Sequence, residues 1–441
     1  MGIRWTMFAA IAGTVIAASQ PASGTETPPL VVHVGVLVDG TGTAPRRDVE
    51  ILVRDGRIVA VATHVDAPAG TERLDLGDLT VLPGFVDCHV HLTMQMDGDW
   101  ANREVRQLPT EAAAIATTYA RRTLEAGFTT VRNVGASDFA DVGLRNAIRA
   151  GLVVGPRMLV ATHAIGITGG HCDVNGFRPD IFDHEPDWRD GIVNSPDEAR
   201  AAVRYAEKYG ADVIKVCATG GVLSQGDAVG AQQLTEEELR AVVEEATRGG
   251  RRVAAHAHGT EGIKAAIRAG VTSIEHGSML DDEAIRLMKE KGTFLVPTLS
   301  AAENVLAAAD KGTLPAWAVD KARTIAPKMR ASFRKAVQAG VKIALGTDSG
   351  VGRHGTNGEE FGLMVREGMT PMAAIQAGTR NAAELLGLEK EIGTAESGKQ
   401  ADLVAVRGDP LADIGVLCHP VLVLQGGHVV FDARREPVAG R

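Results

Sequence analysis

Apolar and polar positions alternate with two different rhythms along the chain. From Leu30 to about residue 82, short valine-rich runs such as LVVHVGVL and DVEILV alternate apolar and polar residues between Asp-Gly turns. This period of two predicts small antiparallel strands joined by hairpins. The pattern returns near the C-terminus in ADLVAVRG and VLVLQGGHVVFDA. We therefore predict a small discontinuous β-sandwich domain built from both chain ends, over residues 25–82 and 397–441.

Between these ends, residues 83–396 follow a different rhythm. Apolar runs, from VLPGFVDCHVHL to KIALGTDSG, are separated by stretches such as TEEELRAVVEEATRGG. Those stretches carry good helix formers, acidic starts and glycine stops, as helices do. The runs make eight strand–helix units, which predicts an α/β fold of the (β/α)8 TIM-barrel type.

The first residues have a separate character. MGIRWTMFAAIAGTVIAASQPASG has an early arginine, an apolar stretch over residues 7–18 and then small residues, which is the layout of a secretory signal peptide. The apolar stretch is shorter than the ~20 residues of a membrane-spanning helix. We therefore predict a signal peptide over residues 1–24, a periplasmic or secreted location, and no membrane contact after the signal is removed.

Composition excludes several classes of partner. The chain has 441 residues, of which 45% are hydrophobic and 23% charged, as is usual for a soluble globular protein. A net charge of −9 gives no electrostatic basis for binding nucleic acid or anionic membranes. The four cysteines, at positions 88, 172, 217 and 418, form no CxxC pair and predict no disulfide framework.

One connection is too long for a regular barrel. Residues 165–195 hold glycines, prolines, two histidines and a tryptophan with no clear periodicity. Long loops in compact domains are usually functional or mobile. Because this loop follows the third predicted strand, we expect it at the C-terminal face, where barrel active sites are built.

Five of the eight predicted strands carry a residue that could bind a metal or be converted to a ligand. In chain order these residues are His89, His91, Lys215, His256, His276 and Asp348. Each alone has a structural reading, such as a hydrogen-bonded histidine in a polar barrel mouth or a helix N-cap for Asp348. Their concentration at one rim of the barrel is what favours a metal site.

Spacing adds detail to the strand-one pair and to the lysine. Alternation along a strand puts His89 and His91 on one side and Cys88 on the other, where a buried free thiol is expected. Lys215 lies in the apolar strand ADVIKVCA, where an unpaired ammonium would be costly. A neutral lysine that adds carbon dioxide becomes a carbamate, which can bridge two cations. The alternative roles for Lys215 are a buried ion pair and a Schiff base.

The last two strand ends leave one choice open. His258 shares a strand face with His256 and competes with it as a ligand. We favour His256, because His258 lies past the strand end beside Gly259 and suits the substrate pocket or a helix cap. Asp348 could bind a metal, take a proton from a bridging water and return it to the leaving nitrogen.

This ordered set resembles the metal-dependent amidohydrolase superfamily. The resemblance rests on DCHVH, the strand-four lysine, the histidines after strands five and six, GTD after strand eight, and the tail GTAESGKQADLVAV. Lys215 together with TGGH and HGTNGEE is most similar to the imidazolonepropionase-like branch. That branch includes Xaa-Pro dipeptidases, related carboxypeptidases and ochratoxin-hydrolysing amidases.

The resemblance implies a binuclear enzyme with two divalent metal ions, zinc being the expected metal. Its ligands would be His89, His91, N6-carboxylysine at Lys215, His256, His276 and Asp348, with Asp348 and His276 as the catalytic residues. A hydroxide between the metals would attack a polarised amide carbonyl. Imidazolonepropionases proper use one metal and lack a bridging lysine, so Lys215 argues against their activity.

The branch implies a small-molecule amide substrate that releases a C-terminal amino acid: a dipeptide, an N-acyl amino acid or an ochratoxin-like compound. Candidates for binding its carboxylate or lining the pocket are His171, His163, His258, His354 and Arg353, each of which could equally be a polar loop residue. The alternatives are a cyclic amidohydrolase that opens a lactam, hydantoin or imidazolone ring, and a non-catalytic periplasmic ligand-binding protein. A homo-oligomer is expected from the resemblance only.

Overall fold

A computed structural model of the chain describes residues 28–96, 100–182 and 184–435. The predicted signal peptide, residues 1–24, lies outside the described residues. The strands are β1 (Leu30–Leu37), β2 (Arg46–Arg54), β3 (Arg57–Ala62), β4 (Glu72–Pro83), β5 (Phe85–Val90), β6 (Phe128–Asn133), β7 (Arg157–Val160), β8 (Val213–Cys217), β9 (Arg252–Ala257), β10 (Ser273–His276), β11 (Phe294–Val296), β12 (Leu403–Val406), β13 (Leu422–Gln425) and β14 (His428–Asp432). The helices are α1 (Trp100–Arg106), α2 (Pro109–Glu125), α3 (Ala140–Arg149), α4 (Pro196–Lys208), α5 (Glu236–Arg248), α6 (Thr260–Ala269), α7 (Asp282–Lys291), α8 (Leu299–Asp310), α9 (Ala316–Ala339), α10 (Glu359–Arg366), α11 (Pro371–Ala377) and α12 (Arg380–Leu386). A short 3-10 helix spans Ile414–Cys418.

Strands from both chain ends share one seven-stranded sheet in the order β14-β13-β12-β4-β1-β2-β3. Only β1 and β4 pair in parallel, and the pairing shifts at a bulge after Val34. At this bulge a Cβ on Gly35 would lie 2.1 Å from the backbone oxygen of Gly77, so no larger residue fits without moving the backbone. The predicted β-sandwich is not confirmed, and the domain boundaries at residues 25–82, 83–396 and 397–441 stay a prediction.

The central part of the chain builds two parallel sheets, β5-β6-β7 and β8-β9-β10-β11. Isolated parallel bridges join the segment after β7 to β8 at Ile165–Val216, β11 to Ile343, and β5 to Ser349. The segment containing Ile343 and Ser349 stands where the eighth predicted strand was expected, but it is not a regular strand. One reason is that the Leu345 amide donates to the Ala377 carbonyl, outside any strand ladder.

The fold class is therefore confirmed as mixed α/β, whereas no closed eight-stranded barrel forms among the residues described. Helices pack against the parallel strands, and the largest apolar cluster lies between these layers. Local sequence explains several helix starts: Thr235 and Glu238 form a reciprocal capping box on α5, and Ser195 and Asp281 cap α4 and α7. In the described part of the chain, none of the helices combines the length and apolar character that crossing a membrane requires.

Candidate metal centre

The six residues predicted as metal ligands come together around one cavity of about 290 Å³. They are His89 from β5, His91 directly after β5, Lys215 from β8, His256 from β9, His276 from β10, and Asp348 from the segment bridged to β5. Parallel strands run in one direction, so their carboxyl ends meet at one face and place these side chains near one another. The strand pattern thus accounts for how residues far apart in sequence converge.

The first group of possible ligand atoms belongs to His89, His91 and Asp348. The Nε2 atoms of His89 and His91 lie 3.5 and 3.3 Å from Oδ1 of Asp348. The Nδ1–H of His91 donates to the backbone oxygen of Gly135 over 3.1 Å. That bond leaves the Nε2 lone pair of His91 directed at the carboxylate, which is the arrangement of a metal-binding histidine.

A second group consists of three buried histidines, His256, His258 and His276, whose ligand atoms lie within 4.8 Å of one another. Nδ1 of His276 lies 2.7 Å from the Thr298 hydroxyl, and Nδ1 of His258 lies 2.6 Å from the Ser278 hydroxyl. Nε2 of His256 is buried and has no hydrogen-bond partner within the described residues. His256 and His258 both belong to this group, so the preference for His256 as the metal ligand stays a prediction.

An unpaired buried imidazole nitrogen is unusual, because buried polar atoms nearly always find a partner. A divalent ion would supply that partner for His256, and the imidazole and carboxylate donors here are those that zinc binds. Burial lowers the pKa of His89 to about 4 and the pKa of His256 and His276 well below the usual value. These rings are therefore neutral at pH 7, the form that a metal ligand needs. The residues present fit a metal centre.

Lys215 is almost fully buried, with 4% of its surface exposed. Burial lowers the pKa of its ammonium to about 8, although Glu275 and Asp348 favour the charged form. The neutral amine is therefore accessible near physiological pH. Only that form can react with carbon dioxide.

Asp348 and His276 share a backbone feature that their strand positions did not predict. Their φ angles are +58° and +70°, in the left-handed region that few non-glycine residues occupy. Such strained residues cluster at functional sites. The residue before Asp348 is bound by Asp87, a buried carboxylate. Asp87 accepts hydrogen bonds from the amide and hydroxyl of Thr347 and from the side chain of Asn357. Asp87 therefore fixes the turn that presents Asp348.

Sequence reasoning missed a buried ion pair beneath the first ligand group. Oε2 of Glu275 accepts from Nδ1–H of His89 over 2.8 Å, and Oε1 accepts from Nη2 of Arg132 over 2.8 Å. Burial opposes ionisation of Glu275, but the Arg132 guanidinium and the His89 ring together lower its pKa to about 2. The carboxylate therefore orients His89 with Nε2 toward Asp348. The sequence signal was a charged residue inside each of two apolar strands, TTVRNV and TSIEHG.

The structure divides the five predicted substrate-binding residues into two groups. His171 and His258 line the cavity. The other three are absent from its lining: His163 packs edge-on against Phe139 with ring centroids 5.0 Å apart, and Arg353 is exposed. His354 stacks on Tyr119 and donates to the backbone oxygen of Met94 over 2.8 Å. His354 thus positions a cavity residue, Met94, instead of contacting the cavity itself.

One cysteine is as predicted and two are not. Cys88 is a buried free thiol, as alternation predicted, and burial raises its pKa. Cys172 and Cys217 form a disulfide with their Cα atoms 6.0 Å apart. Their 45-residue separation gives no spacing pattern by which the sequence could have predicted this pair. The disulfide attaches the long loop after β7 to the end of β8, close to Lys215.

Comparison with known proteins gives consistent results. Residues 80–430 match the model of the Amidohydrolase family. Ochratoxinase from Aspergillus niger is 36% identical over 428 residues, which cover 91% of this chain and 86% of that protein. A crystal structure of a Xaa-Pro dipeptidase with methionine bound in its active site superposes with a TM-score of 0.88 at 43% identity, covering 91% of this chain and 99% of that one. A prolidase in complex with N-methylphosphonate-L-proline gives a TM-score of 0.84 at 32% identity, with coverage of 91% and 99%.

Proposed function

The chain belongs to the amidohydrolase family, and we propose that it releases a C-terminal amino acid by hydrolysing the amide bond of a dipeptide, an N-acyl amino acid or an ochratoxin-like compound. Family membership and relatives named as ochratoxinase and Xaa-Pro dipeptidase support amide hydrolysis. The observation that carries the finer proposal is that two groups of possible metal ligands and a buried Lys215 line one cavity. A non-catalytic binding protein would have no need for that arrangement.

We propose two divalent metal ions, zinc in the first place, with N6-carboxylysine at Lys215 between them. His89, His91 and Asp348 would hold one ion, and His256 and His276 the other. When bound, such a pair would polarise the amide carbonyl and lower the pKa of a bound water molecule toward neutrality. The Glu275 carboxylate keeps His89 in the orientation that this site needs.

Asp348 is the residue that we propose moves the proton. Its Oδ1 atom lies 3.5 and 3.3 Å from the Nε2 atoms of His89 and His91. A carboxyl group that serves as a metal ligand is deprotonated, so Asp348 enters the reaction as the base. It then returns the proton to the leaving nitrogen, which would otherwise depart as a poor leaving group.

The rest of the cavity supports an apolar group on the substrate. Beyond the polar end, its walls come from α8, α9 and the loops after β5 and β8, and they include Met94, Val305, Ile325, Met329 and Leu223. An aromatic or branched aliphatic side chain or acyl group would bury its surface against these walls at about 25 cal/mol per Å². We therefore favour substrates such as N-acyl-phenylalanine over N-acyl-glycine.

Two further proposals rest on the sequence. Export to the periplasm or the medium is inferred from the N-terminal residues 1–24. A homo-oligomer is inferred from the family resemblance and stays a prediction.

The proposed reaction predicts a clear order among three substrates. Purified protein loaded with zinc should release free amino acid from N-acetyl-phenylalanine, more slowly from N-acetyl-glycine, and should leave a hydantoin ring closed. Quantifying the freed amine and the opened ring in parallel distinguishes the amidase from a cyclic amidohydrolase. Ring opening without release of phenylalanine would contradict the proposal.

A further inference from the structure

Helix α8 begins beside the second group of possible ligands, but its N-cap residue does not cap it. That residue, Thr298, has φ +48° and its side chain makes no hydrogen bond to the amides of the helix. A capping residue usually has an extended backbone, which brings its side-chain oxygen to the amides of the first turn. The hydroxyl of Thr298 lies 2.7 Å from Nδ1 of His276 instead. The side chain that would normally cap α8 therefore contacts a candidate metal ligand.

A carboxylate from another helix caps α8 instead. Oε1 of Glu360, in α10, accepts from the Leu299 amide over 2.8 Å, and Oε2 accepts from the Ser300 amide over 2.7 Å. These are the first two amides of α8, whose first turn contains no acidic residue. All three residues are buried, so the amides would be left without an acceptor if the carboxylate were absent. A negative charge is also favourable at the positive end of a helix. Glu360 therefore fixes the position at which α8 begins.

The same first turn also contacts the segment that carries Asp348. The Ser300 hydroxyl donates to the backbone oxygen of Thr347 over 3.1 Å. Thr347 directly precedes Asp348, and its own amide and hydroxyl donate to Asp87. The start of α8 is thus bonded to His276 in the second group and to the neighbour of Asp348 in the first. A shift of this helix end would disturb the contacts of both groups.

We propose that Glu360 is a positioning residue: by capping α8, it holds Thr298 where its hydroxyl orients His276 as a metal ligand. When Nδ1–H of His276 donates to that hydroxyl, the Nε2 atom keeps the lone pair that a metal needs. The left-handed backbone of Thr298 is unfavourable by itself, and the two capping bonds offset that cost. Glu360 is absent from the cavity lining, so it acts only through α8. The inference rests on the proposed metal centre and gives a role to the glutamate of HGTNGEE that the proposed reaction does not use.

The zinc affinity of Glu360→Gln tests this inference. Glutamine keeps the size of the side chain but removes its charge, and its amino group meets one of the two helix amides as a second donor. We expect the dissociation constant of zinc to rise by about 10- to 100-fold, the usual effect of changing a residue that orients a metal ligand. Binding is measured by competition with a chelator at about pH 8.5, because burial raises the pKa of Glu360 to about 7 and the capping carboxylate must be ionised.

Glu359→Gln is the matched control, because it makes the same change one residue earlier, at an exposed position of α10. It should leave the dissociation constant of zinc unchanged. Thr298→Val keeps the volume of the side chain and removes its hydroxyl, so it should weaken zinc binding as Glu360→Gln does. It also provides the test if Glu360→Gln does not fold.

Combining Glu360→Gln with Thr298→Val tests whether the two residues act through one another. If they do, the double variant should weaken zinc binding by less than the product of the two single effects, because coupled residues are not additive. Single effects that multiply would overturn the route through Thr298. Native zinc affinity in folded Glu360→Gln, or in Thr298→Val, would overturn the inference while the metal centre stands. A native protein that binds no zinc would overturn the proposed metal centre and this inference with it.

Discussion

Lys215→Ala is expected to lose most of its bound metal and to reduce turnover on the order of 10³-fold. The buried amine, as its carbamate, would supply an oxygen ligand to each of two ions, and alanine supplies none. Metal ions contribute several kcal/mol of transition-state stabilisation, and each 1.36 kcal/mol is a factor of ten in rate. Metal content per chain and turnover of N-acetyl-phenylalanine are measured on the same preparation.

Two controls separate the bridging role of Lys215 from packing. Lys215→Met fills the same space without a nitrogen, so it should fold like the native protein and bind as little metal as the alanine variant. Adding a short carboxylic acid such as formate to Lys215→Ala should restore part of both metal binding and turnover, because its carboxylate replaces the carbamate in the cavity. Normal metal content and turnover in Lys215→Ala would rule out the bridge.

Asp348→Asn is expected to lower turnover by about 10²- to 10⁴-fold, the usual contribution of a general acid or base. Asparagine keeps the shape of the side chain and tolerates the left-handed backbone at this position, where φ is +58°. It keeps one oxygen as a possible ligand but takes up no proton at neutral pH. Metal content should fall much less than turnover, and both are measured together.

The two variants are expected to differ in their metal content. Lys215→Ala loses metal and turnover together, whereas Asp348→Asn loses turnover with most metal retained. An Asp348→Asn protein with native turnover would contradict the proton-transfer role. An asparagine variant that loses all metal would reduce Asp348 to a ligand.

The convergence of the candidate ligand residues on one cavity could be predicted, because strand alternation and strand ends are local properties of a sequence. His89 near the end of β5 and His91 directly after it both line the cavity, whereas Cys88 packs in an apolar cluster. Asp348 follows an apolar run that the structure places beside β5. The α/β class followed from the same periodicity. The segment of Asp348 does not form a regular eighth strand, because its backbone also bonds to Ala377 at the end of α11.

What could not be predicted depends on contacts between distant parts of the chain. The Cys172–Cys217 disulfide and the pairing of Glu275 with Arg132 join residues 45 and 143 positions apart, with no pattern in the sequence between them. The hydrogen bond from Lys321 of α9 to Asp227 likewise joins residues 94 positions apart. The residue type of His354 and His163 suggested a binding role, whereas the structure packs them against Tyr119 and Phe139, outside the cavity lining.

The proposed hydrolysis depends on two metal ions held by the candidate ligands at the strand ends. This dependence is tested most directly by removing metal with a chelator and titrating zinc back while phenylalanine release from N-acetyl-phenylalanine is followed. We expect the metal-free protein to be inactive and turnover to rise with added zinc until two ions are bound per chain. Full turnover in protein shown to contain no metal would contradict it.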